Sequence, residues 1–123
     1  MLYAILCYDS EAAVGAWSKE EEDAVMDRLA AVQRGLAERS KLGPVARLMP
    51  TTAATTLRKR DEPLVIDGPF AETKEQLLGF YVVDCDGLDE AIGIARALAQ
   101  ANPSQGAYEI RPLLLLRPGN LPT

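Results

Sequence analysis

Two apolar, β-rich runs, Leu2 to Tyr8 and Leu78 to Val83, are each followed by an amphipathic helical stretch and then by another strand-like run. This doubled strand-helix-strand order constrains the fold more than any other feature of the chain. In the first unit Asp9 to Trp17 reads as a loop, Ser18 caps a helix, and Glu21 three residues on completes a capping box. Val25, Leu29, Val32 and Leu36 recur at helical spacing on one face, with Glu20, Asp23, Asp27, Arg34 and Glu38 off it. The acidic first turn and the basic Arg39 and Lys41 suit the helix dipole, and Gly43-Pro44 is expected to end the helix. In the second unit Asp86 is the expected cap, Leu88, Ala91, Ile92, Ala95 and Leu98 form the apolar face, Asn102-Pro103 stops the helix, and Tyr108 to Leu116 is the last strand.

Between the units, Val45 to Met49, Thr55 to Arg60 and Leu64 to Ile66 read as short strands joined at Pro50-Thr51-Thr52 and Asp61-Glu62-Pro63. The expected fold is α+β: a ferredoxin-like split βαβ with an inserted hairpin, its antiparallel sheet carrying both helices on one face. The strands at Leu78 to Val83 and Tyr108 to Leu116 are apolar at both parities, so both sheet faces should be dry, and a homodimer through the open faces is the economical cover. One domain is expected over residues 1–116, with a loose C-terminal tail over 117–123.

Composition narrows the partners. The 123 residues are 48% hydrophobic and 25% charged with a net charge of −5, which describes a folded protein whose surface repels phosphate backbones and anionic lipid, so neither nucleic acid nor membrane is an expected partner. The basic run Arg58-Lys59-Arg60 is largely offset by Asp61 and Glu62. Met1-Leu2-Tyr3 opens directly into a strand without the features of an export signal, and Leu113 to Leu116 is far short of the roughly 20 apolar residues that span a bilayer. Cys7 and Cys85, each in or beside an apolar run, read as free core thiols in a reducing cytoplasm. There is no histidine, so Ser-His and Cys-His nucleophilic arrangements are excluded and acid-base work falls to carboxylates. No metal site and no cofactor are expected.

Asp67 to Gln76 (Asp-Gly-Pro-Phe-Ala-Glu-Thr-Lys-Glu-Gln) is the segment that core packing does not explain: it is polar, yet joins two strong strands. Asp67 favours an Asx-type turn, Pro69 fixes its own φ and should keep Gly68 extended, and Phe70 is expected to anchor the turn in the core. This segment, running on into Gly79-Phe80-Tyr81, resembles the signature of the DGPF branch of the YCII-related family. Tyr8-Asp9-Ser10-Glu11, Thr55-Thr56-Leu57-Arg58, Leu88-Asp89-Glu90-Ala91 and Glu109-Ile110-Arg111-Pro112-Leu113 extend the resemblance over about Leu2 to Leu113. The resemblance implies a dimeric α+β barrel with a cleft between sheet and helices, no settled activity, and for some relatives a link to extracytoplasmic-function sigma factors. Leu78 stands where that signature often has a second glycine, and a mechanism built on the wider family's His-Asp pair cannot operate here.

The candidate catalytic acids are Asp67 and Glu72, with Glu75 as a further acid. The candidate ligand-binding residues are Tyr8, Arg58, Phe70, Thr73, Lys74, Tyr81 and Arg111. The competing explanation is structural: Asp67 and Thr73 as turn caps, Glu72 and Lys74 in local salt bridges, Arg111 paired with Glu109. Tyr3, Trp17, Phe80 and Tyr108 read as core or interface aromatics. The functional readings are a small-molecule-binding or regulatory protein or, alternatively, a cofactor-independent isomerase, lyase or oxygenase using carboxylate chemistry in the cleft.

Overall fold

The computed structural model describes residues 1–122. Its elements in order are β1 (Leu2–Asp9), α1 (Glu11–Gly15), α2 (Lys19–Glu38), β2 (Leu42–Arg47), a short 3-10 turn (Thr51–Ala53), β3 (Thr55–Arg58), β4 (Leu64–Asp67), β5 (Gln76–Asp84), α3 (Leu88–Ala101) and β6 (Ala107–Pro112). Four strands form an antiparallel sheet in the order β2-β5-β1-β6, and β3 pairs only with β4 in a separate hairpin. With that hairpin set aside, each strand-helix-strand unit is split by a strand of the other, the arrangement of a ferredoxin-like α+β fold. Among the described residues no helix is long and apolar enough to cross a membrane.

Side-chain alternation along β1 assigns the sheet faces. Tyr3 and Ile5 enter the core beneath the helices, joined by Tyr81 and Val83 from β5, by Val25, Leu29 and Leu36 from α2, and by Ala91, Ile94, Ala95 and Leu98 from α3. Ile5, Leu36, Val83 and Leu98 are fully buried. Burial of side chains of this size stabilises by about 1.5–3 kcal/mol each, so this one layer holds both helices on the sheet. Leu2, Ala4, Leu6 and Tyr8 have the opposite parity and lie on the face without helices, where Leu6 pairs with Phe80 and Ala4 with Val82.

Several boundaries differ from the sequence reading. The segment expected as a loop from Asp9 to Trp17 contains α1, capped by Ser10, whose hydroxyl oxygen accepts the Ala13 N–H at 3.2 Å. The capping box of α2 forms as expected, with Glu21 N–H on Ser18 Oγ at 3.0 Å and Ser18 N–H on Glu21 Oε1 at 3.2 Å. The end of α2 is set by Ser40 rather than by Gly43-Pro44: Ser40 adopts a left-handed φ of 57° and Lys41 N–H reaches back to the Leu36 carbonyl at 2.9 Å. Gly43-Pro44 instead forms an irregularity within β2, and a Cβ on Gly43 would stand 2.9 Å from the Val82 carbonyl oxygen.

Asp86 does not cap α3; the cap position is Gly87, and Glu90 does the tying. Its Oε1 accepts the Asp86 N–H at 2.8 Å and pairs with Lys41 Nζ at 3.2 Å, and these contacts hold the Glu90 carboxyl below its ordinary range. The buried face of α3 is Ala91, Ile94, Ala95, Leu98 and Ala101, one step round from the expected set, with Leu88 exposed. The last strand ends at Pro112 rather than Leu116, because β6 runs antiparallel to β1 and Pro112 already stands opposite Tyr3, near the start of β1; the Leu113 N–H makes the final bond, to the Leu2 carbonyl at 2.9 Å. Within the tail expected over 117–123, Thr123 lies outside the described residues.

Candidate functional site

The site is built from the C-terminal end of β1. Pairing with β5 slips after Cys7, which faces Gly79, while Tyr8 faces Leu77, so Leu78 is an extra residue on β5. Such a bulge re-aims the side chains beyond it. Immediately past it Asp9 is only 7% exposed, the one buried charged residue of the described chain. Its Oδ1 accepts the N–H of Ser10 at 2.8 Å. The loop entering β6 presses on this carboxylate: a Cβ on Gly106 would overlap the Tyr8 carbonyl oxygen and stand 2.9 Å from Asp9 Cγ, so no larger residue fits.

Asp9 lies on the wall of a cavity of about 190 Å³ between the sheet and α2. Trp17, Tyr81 and Tyr108 supply aromatic walls, Met26 and Leu29 aliphatic ones, and Cys7, Gln33 and Asn102 further polar groups. Burial pushes the Cys7 thiol up to about 12 and, with help from neighbouring weak acids, the Tyr108 hydroxyl up to about 12. Tyr81 is raised as well, burial again being the main cause. All three stay protonated at neutral pH, so Cys7 is a poor nucleophile, and Asp9 is the carboxyl group among the lining residues.

Val14, Trp17, Arg47 and Leu78 also border a second hollow of about 470 Å³, which Glu11 and Gly15 of α1 help to line. Arg47 stands between the two, its guanidinium on Glu22 Oε1 at 3.1 Å and against Met26 Sδ at 3.5 Å. Glu11, from α1, borders this hollow and a third of about 450 Å³. The Glu11 carboxylate accepts the Thr51 N–H at 2.8 Å and the Thr51 hydroxyl, fastening α1 to the 3-10 turn. Asp67, Gly68, Pro69, Glu72 and Thr73 line the third hollow opposite. Three acids meet there, but among the described residues no group of His, Cys, Asp or Glu is placed to hold a metal ion.

The candidate residues therefore fall in separate places. Asp67, Glu72 and Thr73 share the outer hollow, and Tyr81 lines the inner cavity, which Tyr8 also borders. Tyr8 is on the face without helices, its hydroxyl donating to Glu109 Oε1 at 3.2 Å with Arg111 on the same side. Arg58 lies over the Phe70 ring at 5.0 Å. Phe70 does not anchor the turn in the core: it is 71% exposed, and the turn is held by main chain instead, with Gly68 N–H on the Ala54 carbonyl and Thr56 Oγ1 on the Gly68 carbonyl, both at 2.8 Å. Gly68 is not extended; its φ of 111° is a conformation that glycine alone adopts cheaply. Lys74 borders none of the three hollows, and neither it nor Glu72 takes part in an ion pair among the described residues.

Asp9, Glu11 and Arg47 were not among the candidates, and Trp17 and Tyr108 double as core aromatics and cavity walls. The available signal was Asp9 itself, the first acid after an unbroken apolar strand.

Fold and site together define a ferredoxin-like α+β domain with an aromatic cleft between sheet and helices and a buried carboxylate in its lining. The YCII-related domain matches residues 1–117. The chain is also 64% identical over 124 residues to the uncharacterized protein R00369 of Rhizobium meliloti (strain 1021), spanning 100% of both. The chain belongs to the YCII-related family.

The protonated state of Cys7 has a direct consequence. Alkylation of Cys7 by iodoacetamide at pH 8.5 should run at least about tenfold slower in the native protein than in urea, since native burial removes the thiolate. Equal rates, read by mass spectrometry of the Cys7 peptide, would show the thiol to be activated.

Proposed function

We propose that this protein binds a small molecule in the cavity between sheet and helices, acting as a binding or regulatory module. The observation that carries this reading is the cavity of about 190 Å³ in which three aromatic walls surround a buried carboxylate. An apolar pocket with a few convergent polar groups is the usual form of a small-molecule site. The Asp67 to Thr73 loop supports the reading from outside, as a wall of a hollow that shares Glu11 with the hollow bordering the cavity. Catalysis is the second reading, favoured by the same carboxylate: Asp9, rather than Asp67 or Glu72, stands next to protonated Tyr and Cys groups and could exchange a proton with a bound molecule.

The protein is further proposed to work as a homodimer. Leu57, Leu64, Val65 and Ile66 on the hairpin, Phe70 beside it and Leu114 to Leu116 after β6 are all exposed in the single chain. An apolar surface of this extent on one hairpin and one tail is the kind that a partner covers.

Two measurements test these readings. Trp17 is the single tryptophan, so its emission reports on the cavity directly. Small aromatic fragments should perturb it in the wild type and lose binding when Ala30→Phe places a ring in the cavity, whereas undiminished binding to that variant would remove the cavity as the site. Light scattering in dilute buffer should give about twice the 13.3 kDa chain mass, and a stable monomer would exclude the dimer.

A further inference from the structure

We infer that the molecule held in this cavity is a small monocationic amine whose ammonium group pairs with Asp9. The inference rests on the binding reading above and adds the charge of the ligand to it. Asp9 is 7% exposed, and the protein supplies its carboxylate with one hydrogen bond, from Ser10 N–H to Oδ1 at 2.8 Å. Among the described residues no donor is placed on Oδ2, and no buried side-chain polar atom is left without a partner. The second oxygen is therefore not sealed off, and Asp9 is a lining residue of the cavity.

Among the described residues no cation forms an ion pair with this carboxylate. The ion pairs of the described residues lie elsewhere, and Arg47, at the border of the cavity, is engaged with Glu22 at 3.1 Å. Burial keeps Cys7, Tyr81 and Tyr108 uncharged. A carboxylate withdrawn from water requires a counter-charge or several donors, and here both must come from the occupant. An anion would be repelled at close range in a site of low polarity, and a neutral ligand would offer hydrogen bonds without charge. An ammonium group supplies charge and three donors at once. Trp17, Tyr81 and Tyr108 reinforce the choice, because aromatic faces attract cations. The net charge of −5 further raises the local concentration of cations.

Benzylamine, benzyl alcohol and benzoate share a ring and differ in charge, so titration of each against Trp17 emission at neutral pH separates the possibilities. Benzylamine should bind at least about tenfold tighter than benzyl alcohol, with benzoate weakest. Asp9→Asn, nearly isosteric and still able to accept from Ser10, should abolish that preference while leaving benzyl alcohol within about twofold. If the variant does not fold, the ranking of the three probes on the wild type decides alone. Binding of benzyl alcohol or benzoate as tight as that of benzylamine would overturn the ammonium inference and leave the binding reading standing. No response to any probe at millimolar concentration would count against the cavity as a binding site, and the inference would fall with it.

Discussion

Everything in this molecule depends on β1 being paired on both edges and packed on its helix-side face. It sits between β5 and β6, antiparallel to each, so both rows of its backbone hydrogen-bonding groups are satisfied within the sheet. Tyr3 and Ile5 carry the helices on one side, and Ala4 and Val82 are buried on the other. A strand fixed in this way is the most rigid platform a small domain possesses. It delivers Asp9 to the mouth of the helix layer at a defined depth, and the slip in pairing after Cys7 re-aims the chain just before it arrives. The burial of that carboxylate is thus a consequence of topology, tightened by Gly106 packing against it from the loop before β6.

The polar loop after β4 belongs to the same construction, one step removed. Its turn depends on a left-handed Gly68 and on main-chain bonds to Ala54 and Thr56, which couple it to the approach to β3. Glu11 fastens that approach to α1 through Thr51, and α1 begins two residues after Asp9. The Asp-Gly-Pro-Phe segment and the Tyr-Asp-Ser-Glu segment are distant in sequence, yet a single chain of hydrogen bonds connects them. This explains polarity in a connection that joins two apolar strands. Some of the groups hold the turn, as Thr73 does on the Glu75 carbonyl at 2.5 Å and Gln76 on the Ala71 carbonyl at 2.9 Å, and others, Asp67 and Glu72 among them, line a hollow.

Much of the architecture was legible in the residues because it rests on local rules. The capping box at Ser18 and Glu21, the spacing of Val25, Leu29 and Leu36, and the strand-helix-strand order each follow from short-range chemistry, and each stands in the structure. What escaped was decided by partners distant in sequence. The Gly-Pro pair expected to end α2 serves β2 instead, leaving the helix to end at Ser40, and the last strand stops at Pro112, opposite Tyr3 near the start of β1. The site shows the same division. Composition marked out Asp67 to Gln76 as a segment that core packing does not explain, whereas the one local signal at Asp9 is an acid ending an apolar strand, which many strands share. Its significance arises only when α2, β5 and the Gly106 loop close around it. Phe70 is the converse case: an aromatic in a turn suggests an anchor, yet the hairpin bearing it stands away from the core, and the ring meets Arg58 instead.

The central claim is that the cavity between sheet and helices, with Asp9 in its lining, is where this protein meets its ligand. The most direct test is a high-resolution crystal structure of the protein purified without added ligand, with the cavity compared against the outer hollow beside Asp67 and Thr73. The account predicts ordered non-protein density in the cavity, with a donor atom within hydrogen-bonding distance of the Asp9 carboxylate. A cavity closed by its own side chains, with density instead against the Asp67 to Thr73 loop, would contradict it.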